Sequence, residues 1–248
     1  MKNNTHLMLV ATFMAAMTFS AVGQLVSPVV ATRGKSPDVN YLVNHSIGAH
    51  PQSPIDPSKP TMVITHGWNP LPNHLQLTTP AAYADRIRAR MGDRVNVLGW
   101  NWDSRNQGSP AGNNANAVSS GSELGYELLK RGVVPSKTVF IGHSMGTIVV
   151  TTAANRLTRQ TGQPVAELML LDAPKGKFEV IYSQLFNPGA ARRVRNFWAG
   201  GHTGLGAPMN IPGIEDIQAP ERDAHGSNTG IARIDHIDIL LWFYENYL

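Results

Sequence analysis

The chain has 248 residues, no cysteine, a formal charge of +4 and only 15% charged side chains. Without cysteine, disulfides are excluded as a framework in any compartment. The densest basic cluster, Arg192-Arg193-Val194-Arg195, reads as a solvated strand edge, so no nucleic-acid partner is expected.

In chain order, Lys2 and His6 precede an apolar run, Leu7 to Phe19, followed by the small residues Ser20-Ala21-Val22-Gly23. A charged start, a short apolar core and a small-residue cleavage point predict a secretory signal over 1–23, cut near Gly23. The run is short for a bilayer span. The expected location is therefore secreted or periplasmic. Residues 24–60, rich in Pro, Ser, Asn and Asp, predict an extended arm with one short strand near Tyr41 to Val43.

From residue 61 the pattern becomes regular. Thr61 to Thr65 is an apolar, β-branched strand running into His66-Gly67-Trp68. Pro80 to Met91 has helical spacing and is closed by Gly92. Val95 to Trp102 predicts a strand, and Asn116 to Arg131 a helix stopped by Gly132. Strand Thr138 to Ile141 leads at once into helix Met145 to Arg159. Strands Val165 to Leu171 and Arg193 to Trp198 follow. Residues 199–230 are Gly/Pro-rich with one short strand around Ile214 to Ile217, and Ile237 to Tyr247 is a last helix. Alternating strands and helices predict one α/β domain over 61–248, with a mostly parallel central sheet and helices on both faces.

The most informative stretch is Gly142-His143-Ser144-Met145-Gly146, a G-x-S-x-G pattern between an apolar strand and an amphipathic helix. That setting is the one a nucleophile elbow requires. The serine sits on a sharp, strained turn, and glycines let strand and helix pack closely. The helix N-terminus directs N–H groups toward the hydroxyl, where negative charge develops in acyl transfer. The alternative is a capping serine at a glycine-flanked helix start. His66-Gly67-Trp68 ends the first strand, where hydrolases of this kind place a second oxyanion donor. The backbone N–H groups of Trp68 and Met145 are the candidate donors, with the Trp68 ring able to wall an acyl pocket. His66 is expected to be structural, bonded to a neighbouring loop.

At these residues the chain resembles a known family. The strand-THGW loop, the FIGHSMG elbow and the LMLLDAP segment, within Thr61 to Lys177, resemble the α/β-hydrolases, and more narrowly the lipases related to the pancreatic enzyme. The absence of cysteine departs from the disulfide-rich animal members and fits a bacterial-type relative. The resemblance implies the α/β-hydrolase fold and an acyl hydrolase with Ser, Asp and His in that chain order.

The serine needs a histidine to take its proton and an acid to orient that histidine. His202, His225 and His236 lie in the C-terminal third. His236, just before the last helix, occupies the place of the family's base, with His225 and His202 as rivals. His143 is expected to be buried under the sheet edge. Asp172 ends the strand Val165 to Leu171, at the sheet edge where ligands collect, and the resembled lipases take their acid from that strand. The next strand, ending at Trp198, is followed by glycines with no prompt carboxylate, and Glu215 and Asp216, 17 residues further on, are the alternative acids. Asp103 reads as supporting structure. Asp235, His236 and Asp238, with Asp223 and His225 nearby, match no zinc or calcium spacing, and there is no phosphate-binding glycine fingerprint. No metal and no cofactor are therefore expected.

These features lead to a secreted serine hydrolase of carboxylic esters, lipase- or carboxylesterase-like, working through an acyl-enzyme. Its substrate would be a small-molecule or lipid ester, the latter bringing transient contact with a lipid surface. A non-catalytic binding domain on a hydrolase scaffold is the alternative from another class, and a peptidase or acyltransferase would use the same three residues.

Overall fold

A computed structural model describes residues 40–68, 79–104, 110–174, 179–199, 206–219, 236 and 238–248. The chain divides into two compact units, residues 1–35 and 36–248, and every described residue belongs to the second. The signal and residues 24–39 of the arm thus lie outside the described residues, as do His202 and His225.

The sheet has seven strands: β1 (Tyr41–Asn44), β2 (Thr61–Thr65), β3 (Asn96–Asn101), β4 (Thr138–His143), β5 (Glu167–Leu171), β6 (Val194–Trp198) and β7 (Ile214–Gln218). Their order is β1-β3-β2-β4-β5-β6-β7. Only β1 is antiparallel, pairing with β3 at one edge, and every other pair is parallel. The expected strand near Tyr41 therefore ties residues 41–44 into the sheet. The helices are α1 (Pro80–Met91), α2 (Pro110–Lys130), α3 (Gly146–Thr161), α4 (Glu179–Leu185) and α5 (Asp238–Asn246).

Alternation along the strands builds two cores. Val63, Leu98, Phe140, Leu168 and Val194 point to one face, where Leu124 and Leu128 of α2 and Ile148 and Leu157 of α3 cover them. Their neighbours Met62, Ile64, Val97, Ile141, Met169 and Phe197 point to the other, under Ala84 and Ile87 of α1 and Ile239 and Phe243 of α5. Strands buried on both sides carry apolar side chains on both faces, which is why Met62–Ile64 and Leu168–Leu171 show no polar alternation. Each fully buried Leu or Ile contributes about 1.5–3 kcal/mol.

The order β3-β2-β4 has a functional consequence. From β2 the chain turns through α1 to β3 on one side; from β4 it turns through α3 to β5 on the other. The two connections leave in opposite directions, which makes the carboxyl ends of β2 and β4 the switch point, the place where open α/β sheets bind ligands. Thr65 pairs with Gly142. The residues that follow each, His66-Gly67-Trp68 and His143-Ser144-Met145, are thus brought face to face.

Candidate active site

The β4–α3 junction is a strained turn. Ser144 has φ 52°, a left-handed conformation that costs a residue with a Cβ about 1–2 kcal/mol. Its N–H donates to Leu171 O at 2.8 Å, and its carbonyl accepts from Thr147 N–H at 2.9 Å, so sheet and helix hold it from either side. The glycines are needed for space. A Cβ on Gly142 would lie 2.5 Å from Gly146 O, and one on Gly146 would lie 2.5 Å from His66 O. One on Gly67 would lie 2.5 Å from Ser144 Cβ and 3.2 Å from its Oγ. The loop after β2 is thus pressed directly against the serine, and only glycine permits that approach. With this elbow at the switch point, the sheet has the architecture of an α/β hydrolase.

The two expected donors flank this turn. Met145 is the N-cap of α3 with helical dihedrals, and its side chain is buried in the core. Trp68 is 45% exposed. His66 is structural, as expected. Trp102 N–H donates to its Nε2 at 3.3 Å, which leaves the proton on Nδ1 to donate to Gly67 O at 2.8 Å. The Trp102 indole N–H returns to His66 O at 2.9 Å, and the two rings stack. Burial lowers the His66 pKa to about 4, so the ring is a neutral strut at working pH.

Asp172 also carries a left-handed backbone, φ 48°. It follows β5 directly, and its N–H donates to Phe197 O at 2.6 Å, continuing the β5–β6 ladder past its end. The carboxylate is fully buried and both oxygens are engaged. Oδ1 accepts from Ala199 N–H at 2.8 Å, and Oδ2 meets Nδ1 of His236 in a short contact. A bridge between Pro174 and Gly206 crosses beside it. A Cβ on Gly206 would fall within the carboxylate itself, so any side chain there displaces the acid.

His236, at 14% side-chain exposure, is thus in contact with the aspartate predicted for it. Its carbonyl accepts from His143 Nε2 at 2.7 Å, and the two imidazoles lie 4.5 Å apart between centroids. Because Nδ1 is taken by Asp172, Nε2 is the nitrogen left to act on a proton. His143 is buried as expected. The fold thereby gathers Ser144, Asp172 and His236 along the carboxyl edge of β4 and β5, linked through Leu171 O and through His143.

The alternative acids have other duties. Asp216 accepts from Asn196 Nδ2 at 2.7 Å and from the N–H groups of Met209 and Asn210, at 2.9 and 3.0 Å. Glu215 pairs with Arg193 at 2.7 Å. Asp103 N–H bonds Asn40 Oδ1 at 2.9 Å, a supporting contact as read. The basic cluster is a correction. Arg195 is not solvated: it is buried, 2.5 Å from the buried Glu167 on β5, with its guanidinium over the rings of Phe197 and Tyr247. An unpaired charge could not be kept there. Among the described residues, no three His, Asp or Glu side chains cluster as metal ligands.

Sequence reasoning gives no role in the site to two residues that shape it. His143 grips the main chain of His236, and the elbow motif leaves its second position unspecified. Gly206 abuts the acid from more than 30 residues downstream, and no local signal marks it.

Neither a protein-family model nor a curated protein sequence matches the chain. Among solved structures, the chain is similar to a lid-less α/β serine hydrolase from Xanthomonas campestris, at 12% identity and a TM-score of 0.47 over 84% of this chain and 92% of that one. A second is a putative carboxylesterase from Lactobacillus plantarum, with 12% identity and a TM-score of 0.46 over 76% and 83% of the two chains. A third is a phospholipase/carboxylesterase from Dyadobacter fermentans, with 13% identity and a TM-score of 0.45 over 84% and 96%.

Proposed function

We infer that the protein is a serine hydrolase of carboxylic esters, in which Ser144 is the nucleophile, His236 the general base and acid, and Asp172 the group that orients His236. The observation that carries this reading is the contact of His236 Nδ1 with the buried carboxylate of Asp172, beside a serine held at positive φ in a glycine-flanked elbow.

In the proposed reaction His236 Nε2 takes the Ser144 proton as Oγ attacks the ester carbonyl. The tetrahedral oxyanion forms over the N-terminus of α3, where the backbone N–H of Met145 and that of Trp68 donate to it. Asp172 holds the Nδ1–H tautomer and stabilises the imidazolium. The same proton passes to the leaving alcohol, leaving an acyl-serine. Water, deprotonated by His236, then releases the acid and restores the hydroxyl.

Ester cleavage is favoured over the binding-domain reading because strain at both Ser144 and Asp172 is retained in the fold, and such strain collects at functional sites. The resemblance of residues 61–177 to the pancreatic-type lipases extends the substrate range to lipid esters, and the 45% exposed Trp68 ring suits an acyl chain. A fluorophosphonate probe should label Ser144 in the folded protein and not in urea, located by peptide mass mapping. Absence of labelling alongside a normal unfolding transition would favour the binding domain. A panel of esters from short to long acyl chains then separates esterase from lipase.

Export belongs to the same proposal, on the strength of residues 1–23. N-terminal sequencing of protein recovered outside the cytoplasm should begin at Gln24. A mature chain retaining Met1 would refute it.

A further inference from the structure

The proposed base has a second attachment besides its acid. His236 O accepts from His143 Nε2 at 2.7 Å, and the His143 ring packs against the His236 ring at 4.5 Å. His143 is the last residue of β4 and immediately precedes Ser144. It is buried at 3% exposure, and its other nitrogen, Nδ1, has no hydrogen-bond partner among the described residues.

Two consequences follow from that geometry. First, a bond to a carbonyl requires the proton on Nε2, so Nδ1 carries only a lone pair. Protonating it would bury an unpaired N–H, and burial with the neighbouring His236 holds the His143 pKa near 3. His143 is therefore a permanent neutral donor that neither competes with His236 for protons nor repels its imidazolium. Second, His236 is held at two points, its carbonyl by His143 and its Nδ1 by Asp172. With both fixed, little freedom remains in the side-chain torsions between them, and the position of Nε2 is set.

Building on the serine-hydrolase reading above, we propose that His143 is a positioning residue that clamps the main chain of His236 and so aims its Nε2 at the neighbouring Ser144. The elbow thereby carries the nucleophile and the anchor of its base on adjacent residues. The distance between them is set by one rigid strand end rather than by two independent loops.

Three variants separate this from simple packing. His143→Gln keeps an N–H donor at similar reach, and His143→Leu keeps bulk without the donor. His143→Asn keeps the amide but falls about one bond short. The readouts are kcat and KM on a chromogenic short-chain ester, and the strongly downfield Nδ1–H proton resonance of His236 that a buried imidazole–carboxylate bond gives. Loss of the clamp should lower kcat by about 10²-fold with KM little changed, the usual result of misplacing a reacting group by about 1 Å. It should also broaden the resonance. His143→Gln should restore the resonance and bring kcat to within about threefold of wild type.

The proposal is overturned if His143→Leu keeps both resonance and kcat, or if folded His143→Gln loses both as fully as His143→Leu. Should His143→Leu fail to fold, His143→Asn takes its place in the same comparison. The resonance can be read with Ser144→Ala in the background. A wild-type protein that cleaves no ester would therefore sink the hydrolase reading without obscuring the test of the clamp.

Discussion

Ser144→Ala should leave the protein folded and reduce ester kcat/KM by roughly 10⁴- to 10⁶-fold. The fold is spared because the substitution keeps the Cβ already seated 2.5 Å from where a Gly67 side chain would begin, and removes only an oxygen. Alanine bears the same left-handed strain at φ 52° as serine does, so the urea midpoint should shift by less than about 1 kcal/mol equivalent. Activity falls because no other hydroxyl is described in the elbow: Thr147 Oγ1 is spent on Ser144 O and on Tyr182. A residue of rate above water should persist, from the N–H donors of Trp68 and Met145 acting on a water-attacked ester. Turnover within tenfold of wild type, in protein with a normal unfolding transition, would remove Ser144 from the mechanism.

What the sequence made legible follows the range of the interactions concerned. β2, β4 and β5 are local apolar runs buried on both sides, and they appear where expected, within two residues. The elbow is equally local, since Gly142, Ser144 and Gly146 act on one another within a single turn. The spacing predicts α2 from Asn116, but the helix begins at Pro110, through a Gly-Asn-Asn stretch with poor helix propensity. It is held by packing on α3, where Gly125 lets the backbone come close enough that a Cβ would lie 2.9 Å from Arg156 Cβ. α4, Glu179–Leu185, carries no sequence signal. At seven residues it is too short to display a period and is fixed by contacts such as Tyr182 with Thr147.

The same division holds in the site. The positions of Asp172 and His236 could be inferred from strand ends and from a family resemblance, but their contact is a product of sheet order, which brings residues 64 apart together. The Arg195–Glu167 pair shows the opposite error. Three arginines within four residues look solvent-facing, yet alternation along β6 and the arrival of Tyr247 from the end of the chain bury one of them. Partners remote in sequence decide whether a charge is solvated, and a linear reading does not contain them.

Asp172→Asn offers the sharpest test of the acid, because the site dictates how the amide must lie. The Ala199 N–H points at Oδ1, so the asparagine oxygen belongs there, and turning the NH2 toward it would set two donors against each other in a buried space. The NH2 is then left facing Nδ1 of His236. To receive that proton His236 must carry its own on Nε2, which presents Ser144 with an N–H instead of a lone pair. The base is thereby held in the wrong tautomer, and kcat should fall by about 10⁴-fold. The backbone should tolerate the change, because asparagine is among the residues that adopt positive φ most readily, as Asn210 does here at 53°. Near-normal urea stability with near-complete loss of turnover is thus the expected pair of results. If Asp172→Asn retained more than a tenth of wild-type kcat, the acid would have to be sought among residues that contact His236 from elsewhere.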